Sequence, residues 1–152
     1  MTDLLLAFDD ERHLAEPLAA VLGVPLRWIE RHAFPDGESR LRLPAQLPRQ
    51  VALLRGLQQP NHKLAEMMIV APAARELGAS RLTLVCPYLA YMRQDMAFQP
   101  GEAVSQRHIG QALAIWFDNV ITVDPHLHRV ATMDEVLPSR RGVALSAAPL
   151  LG

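Results

Sequence analysis

The sequence predicts an α/β protein with a mostly parallel sheet and helices on both of its faces. Short continuous apolar runs, such as LLLAF at 4–8 and VALL at 51–54, are typical of strands that are covered on both sides. Longer segments with apolar residues at helical spacing alternate with these runs. Ligands of such sheets bind beyond the carboxyl ends of the strands, so the polar residues that follow strands are the candidates for function.

The first half of the chain contains four predicted strands and two predicted helices. A strand at 3–8 leads to a helix that Asp9 or Asp10 caps and that Gly23 ends. Two strands, at 25–34 and 38–43, are joined by a turn signature at 35–37, and a buried strand at 50–56 precedes a long helix from residue 61. The residues expected to face the core are Leu14, Leu18, Val21 and Leu22 in the first helix, and Leu64, Met67, Met68, Ala71, Ala74 and Leu77 in the second.

The second half continues this alternation. A strand at 81–87 is followed by a loop at 96–103 that has no periodicity. Ser105 is expected to cap the next helix, which buries Ile109, Ala112, Leu113 and Trp116. The last clear strand covers 119–125, and the tail from Ser139 contains the pattern of one more short strand.

The composition argues against several classes of partner. Half of the 152 residues are hydrophobic, and the formal net charge is −1 without a basic block. Duplex nucleic acid and anionic membranes both require a dense cationic face, so we expect neither as a partner. Cys86 is the only cysteine, which rules out an intramolecular disulfide and favours a cytoplasmic protein. We expect no signal peptide, because the N-terminus lacks a basic region and a cleavage pattern.

The strand at 81–87 leads into a polar triplet, Arg93-Gln94-Asp95. An arginine can bind a phosphate group through two parallel hydrogen bonds, so the triplet is a candidate phosphate site. A surface ion pair between Arg93 and Asp95 explains the same residues equally well.

Asp124, His126 and His128 follow the last clear strand. Alternate residues of an extended chain share a side, so these three side chains can converge on one metal ion. The carboxylate favours Mg²⁺, whereas two histidines favour a transition metal such as the zinc of a hydrolase. The alternative is a helix N-terminus that Asp124 caps, with both histidines on the surface.

The predicted turn at 34–38 carries Phe34, Asp36 and Glu38. These residues can stack on a purine and accept a hydrogen bond from its amino group, or they can belong to an ordinary hairpin with a packed phenylalanine. The sequence contains no Gly-x-x-x-x-Gly-Lys loop and no Gly-x-Gly-x-x-Gly turn, so any nucleotide is held without a standard phosphate cradle.

Four stretches of the chain occur in an order that resembles a known family. They are FPDGE at 34–38, the segment from QPNHKL to RQD at 59–95, FQPGEAVS at 98–105 and VITVDPH at 120–126. Over about 4–137 the chain resembles the amino-terminal half of ribose-phosphate pyrophosphokinase, most closely the archaeal type with a shorter loop. The resemblance implies a phosphoribosyltransferase-like N-terminal domain of a homo-oligomeric enzyme. That enzyme transfers the diphosphoryl group of ATP to ribose 5-phosphate with Mg²⁺.

The resemblance also implies roles for the candidate residues. Arg93 and His126 are the catalytic candidates. Arg93, Gln94 and Asp95 are expected to hold ATP, and His126 and Asp124 to hold Mg²⁺. The turn residues are expected to contact adenine in the site of a neighbouring subunit, namely Phe34, Asp36 and Glu38.

Two features depart from the family pattern. The family usually carries basic residues after the Arg-Gln-Asp triplet, but the loop at 96–104 contains no Lys or Arg. The family's ribose-phosphate loop and the lysine of its second domain are absent. We therefore expect 1–138 to be the amino-terminal domain and 139–152 to be a linker or the start of a missing second domain, in a chain that is inactive alone. A non-catalytic nucleotide-binding homologue that assembles with an active enzyme is the alternative.

Overall fold

The computed structural model describes residues 1–151, in which seven strands form one sheet. The order across the sheet is β3-β2-β1-β4-β5-β6-β7. β2 and β3 pair antiparallel, and all other neighbours pair parallel, which confirms the predicted fold class. The strands are β1 (Leu4–Phe8), β2 (Leu26–Ala33), β3 (Ser39–Arg42), β4 (Gln50–Leu54), β5 (Arg81–Cys86), β6 (Asn119–Val123) and β7 (Arg141–Leu145).

Helices cover the two faces of the sheet unequally. The helices are α1 (Arg12–Leu22), α2 (Asn61–Glu76), α3 (Ser105–Trp116), α4 (Met133–Val136) and α5 (Ala148–Leu151). Residues of α2, α3 and α4 share one core cluster with the sheet, whereas α1 packs in a second cluster on the opposite face, over β1 and β4. On the face of the sheet that α1 covers, no helix packs over β5, β6 and β7 within the described residues, and this part is called the open face. Val123 and Leu145 on it are 36% and 52% exposed. None of the helices within 1–151 is long and apolar enough to cross a membrane.

The predicted core face of α1 is wrong. Ala15 and Ala19 are the buried residues of this helix, and they pack against alanine and leucine side chains of β1 and β4. Small side chains on both surfaces let the helix approach the sheet closely, and this approach decides which face is buried. Gly23 ends the helix with a φ of +67°, as predicted. Of the predicted stripe, Leu18 is partly buried, and the remaining three residues are exposed: Leu14, Val21 and Leu22.

The predicted N-terminal helix caps do not form. Asp9 and Asp10 lie in a short 3-10 turn before α1, and the carboxylate of Asp10 binds the guanidinium of Arg55 at 2.5 Å. Glu11 is the N-cap residue of α1 but makes no side-chain capping hydrogen bond. Ser105 is the first residue of α3 rather than its cap.

The buried faces of α2 and α3 contain polar residues that the apolar pattern did not predict. Glu66 is 4% exposed and Gln106 is 6% exposed. Glu66 binds the guanidinium of Arg55 at 2.8 Å, and Gln106 donates a hydrogen bond to the carbonyl of Met92 at 3.0 Å. Met68, predicted to be buried, is 54% exposed. Three residues predicted for the core of α3 are only partly buried: Ile109, Ala112 and Trp116.

The tail of the chain joins the same sheet. β7 pairs parallel with β6 from Asn119 opposite Arg141 to Val123 opposite Leu145. The segment 139–152, expected to be a linker or the start of a second domain, therefore contributes an edge strand within its described part. The boundary near residue 138 stays a prediction.

The uneven cover of the sheet predicts that two leucines respond differently to truncation. Leu84 of β5 is fully buried under α2 and α3, whereas Leu145 lies on the open face. Leu84→Ala should lower the free energy of unfolding by about 2–5 kcal/mol, because it leaves a cavity. Leu145→Ala should lower it by about 1 kcal/mol or less, because much of the side chain already contacts water. Urea denaturation of both variants measures the difference, and equal losses would mean that the open face is covered in solution.

Candidate functional site

A pocket of about 370 Å³ lies beyond the carboxyl ends of β5 and β6. Its lining includes Arg93 and Gln94 from the segment after β5, and Asp124 and His126 from the segment after β6. β5 and β6 are parallel neighbours, so their ends meet at the same edge of the sheet. A cation, an amide, a carboxylate and an imidazole from two separate segments are thereby brought into one pocket.

Three larger cavities lie elsewhere on the protein, one of them, of about 410 Å³, beside β2 and the end of β3. A groove of about 430 Å³ lies at the opposite edge, where the strands begin. Another, of about 520 Å³, lies between the β2–β3 hairpin and α2 and is lined by apolar residues such as Leu41 and Ile69. We take the pocket beyond β5 and β6 as the candidate site, because its polar groups lie where ligands of parallel sheets bind.

The segment that carries Arg93 and Gln94 is held in place by hydrogen bonds from α3. The side chain of Gln106 donates to the carbonyl of Met92 at 3.0 Å, and its backbone N–H donates to the carbonyl of Gln94 at 3.1 Å. The side-chain amide of Gln94 donates to the carbonyl of Met96 at 3.1 Å, which leaves its oxygen to accept from a ligand. The apolar pattern of α3 gave no sign of this role for Gln106.

The alternative ion pair between Arg93 and Asp95 is absent. The side chain of Asp95 is 1% exposed, and both of its oxygens accept hydrogen bonds from Nη1 of Arg129, at 3.2 and 3.3 Å. Arg93 is exposed and forms no ion pair with any residue of 1–151. Its guanidinium is therefore available to an anionic ligand.

Asp124 adopts a backbone conformation that is rare for residues other than glycine. Its φ is +41°, and its backbone N–H donates to the carbonyl of Leu145 at 2.8 Å. One carboxylate oxygen accepts from the N–H of Ala147 at 3.0 Å, so the tail after β7 holds this side chain. No helix begins directly after Asp124, so the capped helix proposed as an alternative is absent.

The predicted convergence of Asp124, His126 and His128 on one ion is only partial. The two imidazole rings meet edge to face, with centroids 4.0 Å apart. Within 1–151, no three His, Cys, Asp or Glu residues are arranged to hold a metal ion, so the three-ligand zinc arrangement is not found. Mg²⁺ is commonly held by one or two carboxylates together with substrate phosphates. The second oxygen of Asp124 fits that requirement, because it makes no hydrogen bond within the described part of the chain.

The turn at 34–38 forms the predicted hairpin but lies outside this pocket. Its backbone closes through two hydrogen bonds, from the N–H of Phe34 to the carbonyl of Glu38 and from the N–H of Gly37 to the carbonyl of Phe34, and Gly37 has a φ of +94°. The carboxylate of Asp36 accepts from the N–H of Glu38 at 3.0 Å. Phe34 is 39% exposed and meets the ring of His32 edge to face. The aromatic face is therefore presented to solvent at the edge of the sheet.

The loop at 96–104 contains one charged residue, the acidic Glu102, and no basic residue. Gly101 has a φ of +90°, and the carboxylate of Glu102 accepts from the N–H of Gln99 at 2.9 Å. Phe98 is 60% exposed. Whatever this loop adds to the neighbouring pocket, it adds no cation.

A second charged cluster lies beside the ends of β1 and β4 and was not among the predicted sites. Arg55 is fully buried, and its guanidinium binds Asp10 at 2.5 Å and Glu66 at 2.8 Å, with Glu11 at 3.6 Å. It also lies over the ring of Phe8, 4.4 Å from the centroid. The available signal was an arginine directly after the apolar strand β4, together with three acidic residues directly after β1.

The arginine cluster shifts the acidity of Asp10. Burial acts to raise the pKa of this carboxyl group, but the hydrogen bond and charge of Arg55, with the charges of Arg31 and Lys63, outweigh it. The pKa of Asp10 therefore lies below its ordinary value of 3.8. The carboxylate is the form that the folded protein stabilises.

Cys86 is part of the core rather than of the site. Its side chain is buried, and burial raises the pKa of the thiol to about 12. A thiol with such a pKa is not a nucleophile at neutral pH.

The fold and the pocket define a class of protein, an α/β domain with a polar pocket at the carboxyl edge of its sheet. Residues 4–115 match the family described as the N-terminal domain of ribose phosphate pyrophosphokinase. The ribose-phosphate pyrophosphokinase of Saccharolobus solfataricus is 40% identical over 73% of this chain, and that of Methanopyrus kandleri is 38% identical over 81%. The chain belongs to the ribose-phosphate pyrophosphokinase family.

The match to these relatives is partial in length. The chain spans 39% of the first relative and 43% of the second. The crystal structure of phosphoribosylpyrophosphate synthetase from Mycobacterium smegmatis superposes on 99% of this chain and 50% of that one, with a TM-score of 0.86 and 24% identity, which supports the fold. Asp124 and His126 lie after the residues matched to the family domain.

The lowered pKa of Asp10 predicts a specific effect of acid on stability. Because the folded state holds the carboxylate more strongly than the unfolded state, its contribution is present above about pH 3.8 and is lost as the pH falls through the folded value. Asp10→Asn should therefore be less stable than the native chain at neutral pH, and the difference should shrink in acid. Urea midpoints from about pH 6 to about pH 2 measure it, with Asp3→Asn as the control for loss of one negative charge. A difference that stays constant over this range would contradict the assignment.

Proposed function

We propose that this chain is the ATP-binding, amino-terminal domain of a ribose-phosphate diphosphokinase. The reaction transfers diphosphate from ATP to ribose 5-phosphate and yields 5-phosphoribosyl 1-diphosphate and AMP. One observation carries the proposal: Arg93, Gln94, Asp124 and His126 line one pocket at the carboxyl edge of the sheet, in a chain of this family.

The side chains of the pocket suit a polyphosphate. Arg93 has no carboxylate partner in 1–151 and can donate to phosphate oxygens, while Gln94 accepts from or orients the nucleotide. Asp124 and His126 would hold Mg²⁺, which neutralises phosphate charge when it is bound. The 1-hydroxyl of the sugar attacks the β-phosphorus, and the bond to the α-phosphate oxygen breaks as AMP leaves. Arg93 is assigned to offset the negative charge that shifts onto AMP.

Asp95 is assigned to the site indirectly. Its carboxylate was predicted to contact ATP, but it is nearly fully buried and its oxygens are taken by Arg129. We propose that it supports the nucleotide site by positioning its neighbours.

The adenine is assigned to the turn at 34–38 of a neighbouring copy of the protein. Phe34 is exposed and lies outside the phosphate pocket of its own chain, so a second copy is required to bring the two together. We propose a homo-oligomer in which Phe34 stacks on the base, and Asp36 and Glu38 accept from its amino group.

A non-catalytic nucleotide-binding homologue remains the second candidate function. The observation in its favour is the loop at 96–104, which has no Lys or Arg and carries Glu102. A site without preorganised positive charge over the transferred group loses several kcal/mol of transition-state stabilisation. Such a protein would still bind Mg-ATP through Arg93 and Gln94.

Release of AMP distinguishes these two functions. The longest natural reading frame that contains this sequence should release AMP from Mg-ATP only when ribose 5-phosphate is present. The 152-residue chain alone should release none, because it lacks the family's ribose-phosphate loop and cannot orient the nucleophile. Arg93→Gln should abolish most of the AMP release. Arg107 is an exposed arginine of α3, and the control Arg107→Gln should leave AMP release unchanged. ATP binding without AMP release would support the non-catalytic homologue, and product formed by the purified 152-residue chain would overturn the need for a second domain.

Truncation of Phe34 tests the adenine contact. Phe34→Ala in the same long reading frame should weaken binding of Mg-ATP by about 1–3 kcal/mol, the usual contribution of a base stacked on an aromatic ring. Phe34→Trp keeps a ring and should restore most of the affinity. Isothermal titration calorimetry and sedimentation give the dissociation constant and the oligomeric state. An unchanged dissociation constant, or a monomer with full affinity, would refute the contact across subunits.

A further inference from the structure

The ion pair between Asp95 and Arg129 has an unusual distribution of burial. The carboxylate side chain is 1% exposed, whereas the arginine side chain is 51% exposed. Nη1 of Arg129 supplies the hydrogen bonds that the carboxylate receives within the described residues, at 3.2 and 3.3 Å. A buried carboxylate without a partner is strongly unfavourable, so Asp95 constrains the position of Arg129.

The pair joins the two segments that build the phosphate pocket. Asp95 directly follows Arg93 and Gln94, and Arg129 comes three residues after His126. Asp95 is adjacent to Gln94, and no strand or helix lies between His126 and Arg129. A shift of either partner of the ion pair is therefore passed to the neighbouring pocket residues through a short piece of backbone. The pair therefore links the segment at 92–96 to the segment at 124–129 across the edge of the sheet.

The first of these segments is anchored independently, and the second is not anchored in the same way. Gln106 fixes the carbonyls of Met92 and Gln94 from the start of α3. The second segment is tied at Asp124 to the tail after β7, Leu127 packs against the core, and the N–H of Ala131 just beyond the segment donates to the carboxylate of Glu135 in α4 at 3.3 Å. Arg129 adds an ion pair that joins this segment to Asp95, on the side of the pocket that α3 anchors.

We propose that Asp95 and Arg129 are positioning residues that couple the two halves of the phosphate site and do not themselves contact the nucleotide. The pair keeps the guanidinium of Arg93 and the imidazole of His126 on opposite walls of one pocket. Its effect on nucleotide binding rests on the proposed function, whereas the mechanical coupling of the two segments does not.

Hydrogen exchange measures the coupling directly in the 152-residue chain. Asp95→Asn should raise amide exchange at 124–129, and Arg129→Gln should raise it at 92–96, so each change appears in the segment that does not carry it. The double variant should exchange no faster than the single variants, because both remove the same contact. Arg129→Lys keeps the charge and should restore much of the protection. The control Arg107→Gln, an exposed arginine of α3, should leave both segments unchanged.

Exchange confined to the substituted segment, or additive effects in the double variant, would overturn the coupling. Amide protection of β4 in the same experiment reports whether the variants fold. If Asp95→Asn loses that protection, Arg129→Gln and Arg129→Lys decide the question alone, because they leave the buried side chain in place.

Nucleotide binding gives the second measurement. Asp95→Asn, Arg129→Gln and the double variant should each weaken Mg-ATP binding by a similar factor, roughly 2- to 100-fold. A much larger loss for Arg129→Gln than for Asp95→Asn would mean that Arg129 contacts the phosphates itself, which would overturn its role as a positioning residue. If the unsubstituted chain and the long reading frame both fail to bind Mg-ATP, the proposed function fails, while the exchange experiment still decides the coupling.

Discussion

The buried guanidinium of Arg55 is the interaction on which the arrangement of the first half of the sheet depends. It is fully buried at the end of β4 and binds Asp10 beyond β1 and Glu66 of α2, and Glu66 in turn binds Arg31 of β2 at 2.8 Å. Loss of one partner from a buried ion pair destabilises a protein strongly, because it leaves an uncompensated buried charge. The charged cluster therefore holds these elements in one relative position. Parallel pairing then extends from β4 to β5 and β6, whose ends form the pocket.

Two arginines that follow parallel strands illustrate how surroundings decide a role. Arg55 is surrounded by three carboxylates and has little capacity for an outside anion. Arg93 is exposed and forms no ion pair in residues 1–151, and the carboxylate of Asp95 binds Arg129 instead. The first arrangement stabilises the fold, and the second leaves a cation for a ligand. The proposed ATP site therefore depends on pairing that occurs outside its own contact residues.

Membership of the ribose-phosphate pyrophosphokinase family agrees with the order of the motifs, and one departure from the family pattern concerns charge. The loop beside the pocket carries Glu102 and no Lys or Arg, so in the proposed reaction Arg93 and any bound metal are assigned to neutralise the transferred group. With so few cations, the positions of Arg93 and His126 relative to each other become more important. The pair between Asp95 and Arg129, together with Gln106, supplies that positional control.

Local periodicity, turn residues and short motifs were enough to predict the alternation of strands and helices, the hairpin at 25–43 and the segments that carry the pocket. Which faces are buried depends on contacts that form only in the folded chain. α1 packs through Ala15 and Ala19 because small residues permit close approach, and Glu66 is buried because a distant arginine pairs with it. The partner of Asp95 was equally unpredictable, since Arg129 is 34 residues away in the chain. Such choices depend on which charges and surfaces meet after folding, and no local pattern records them.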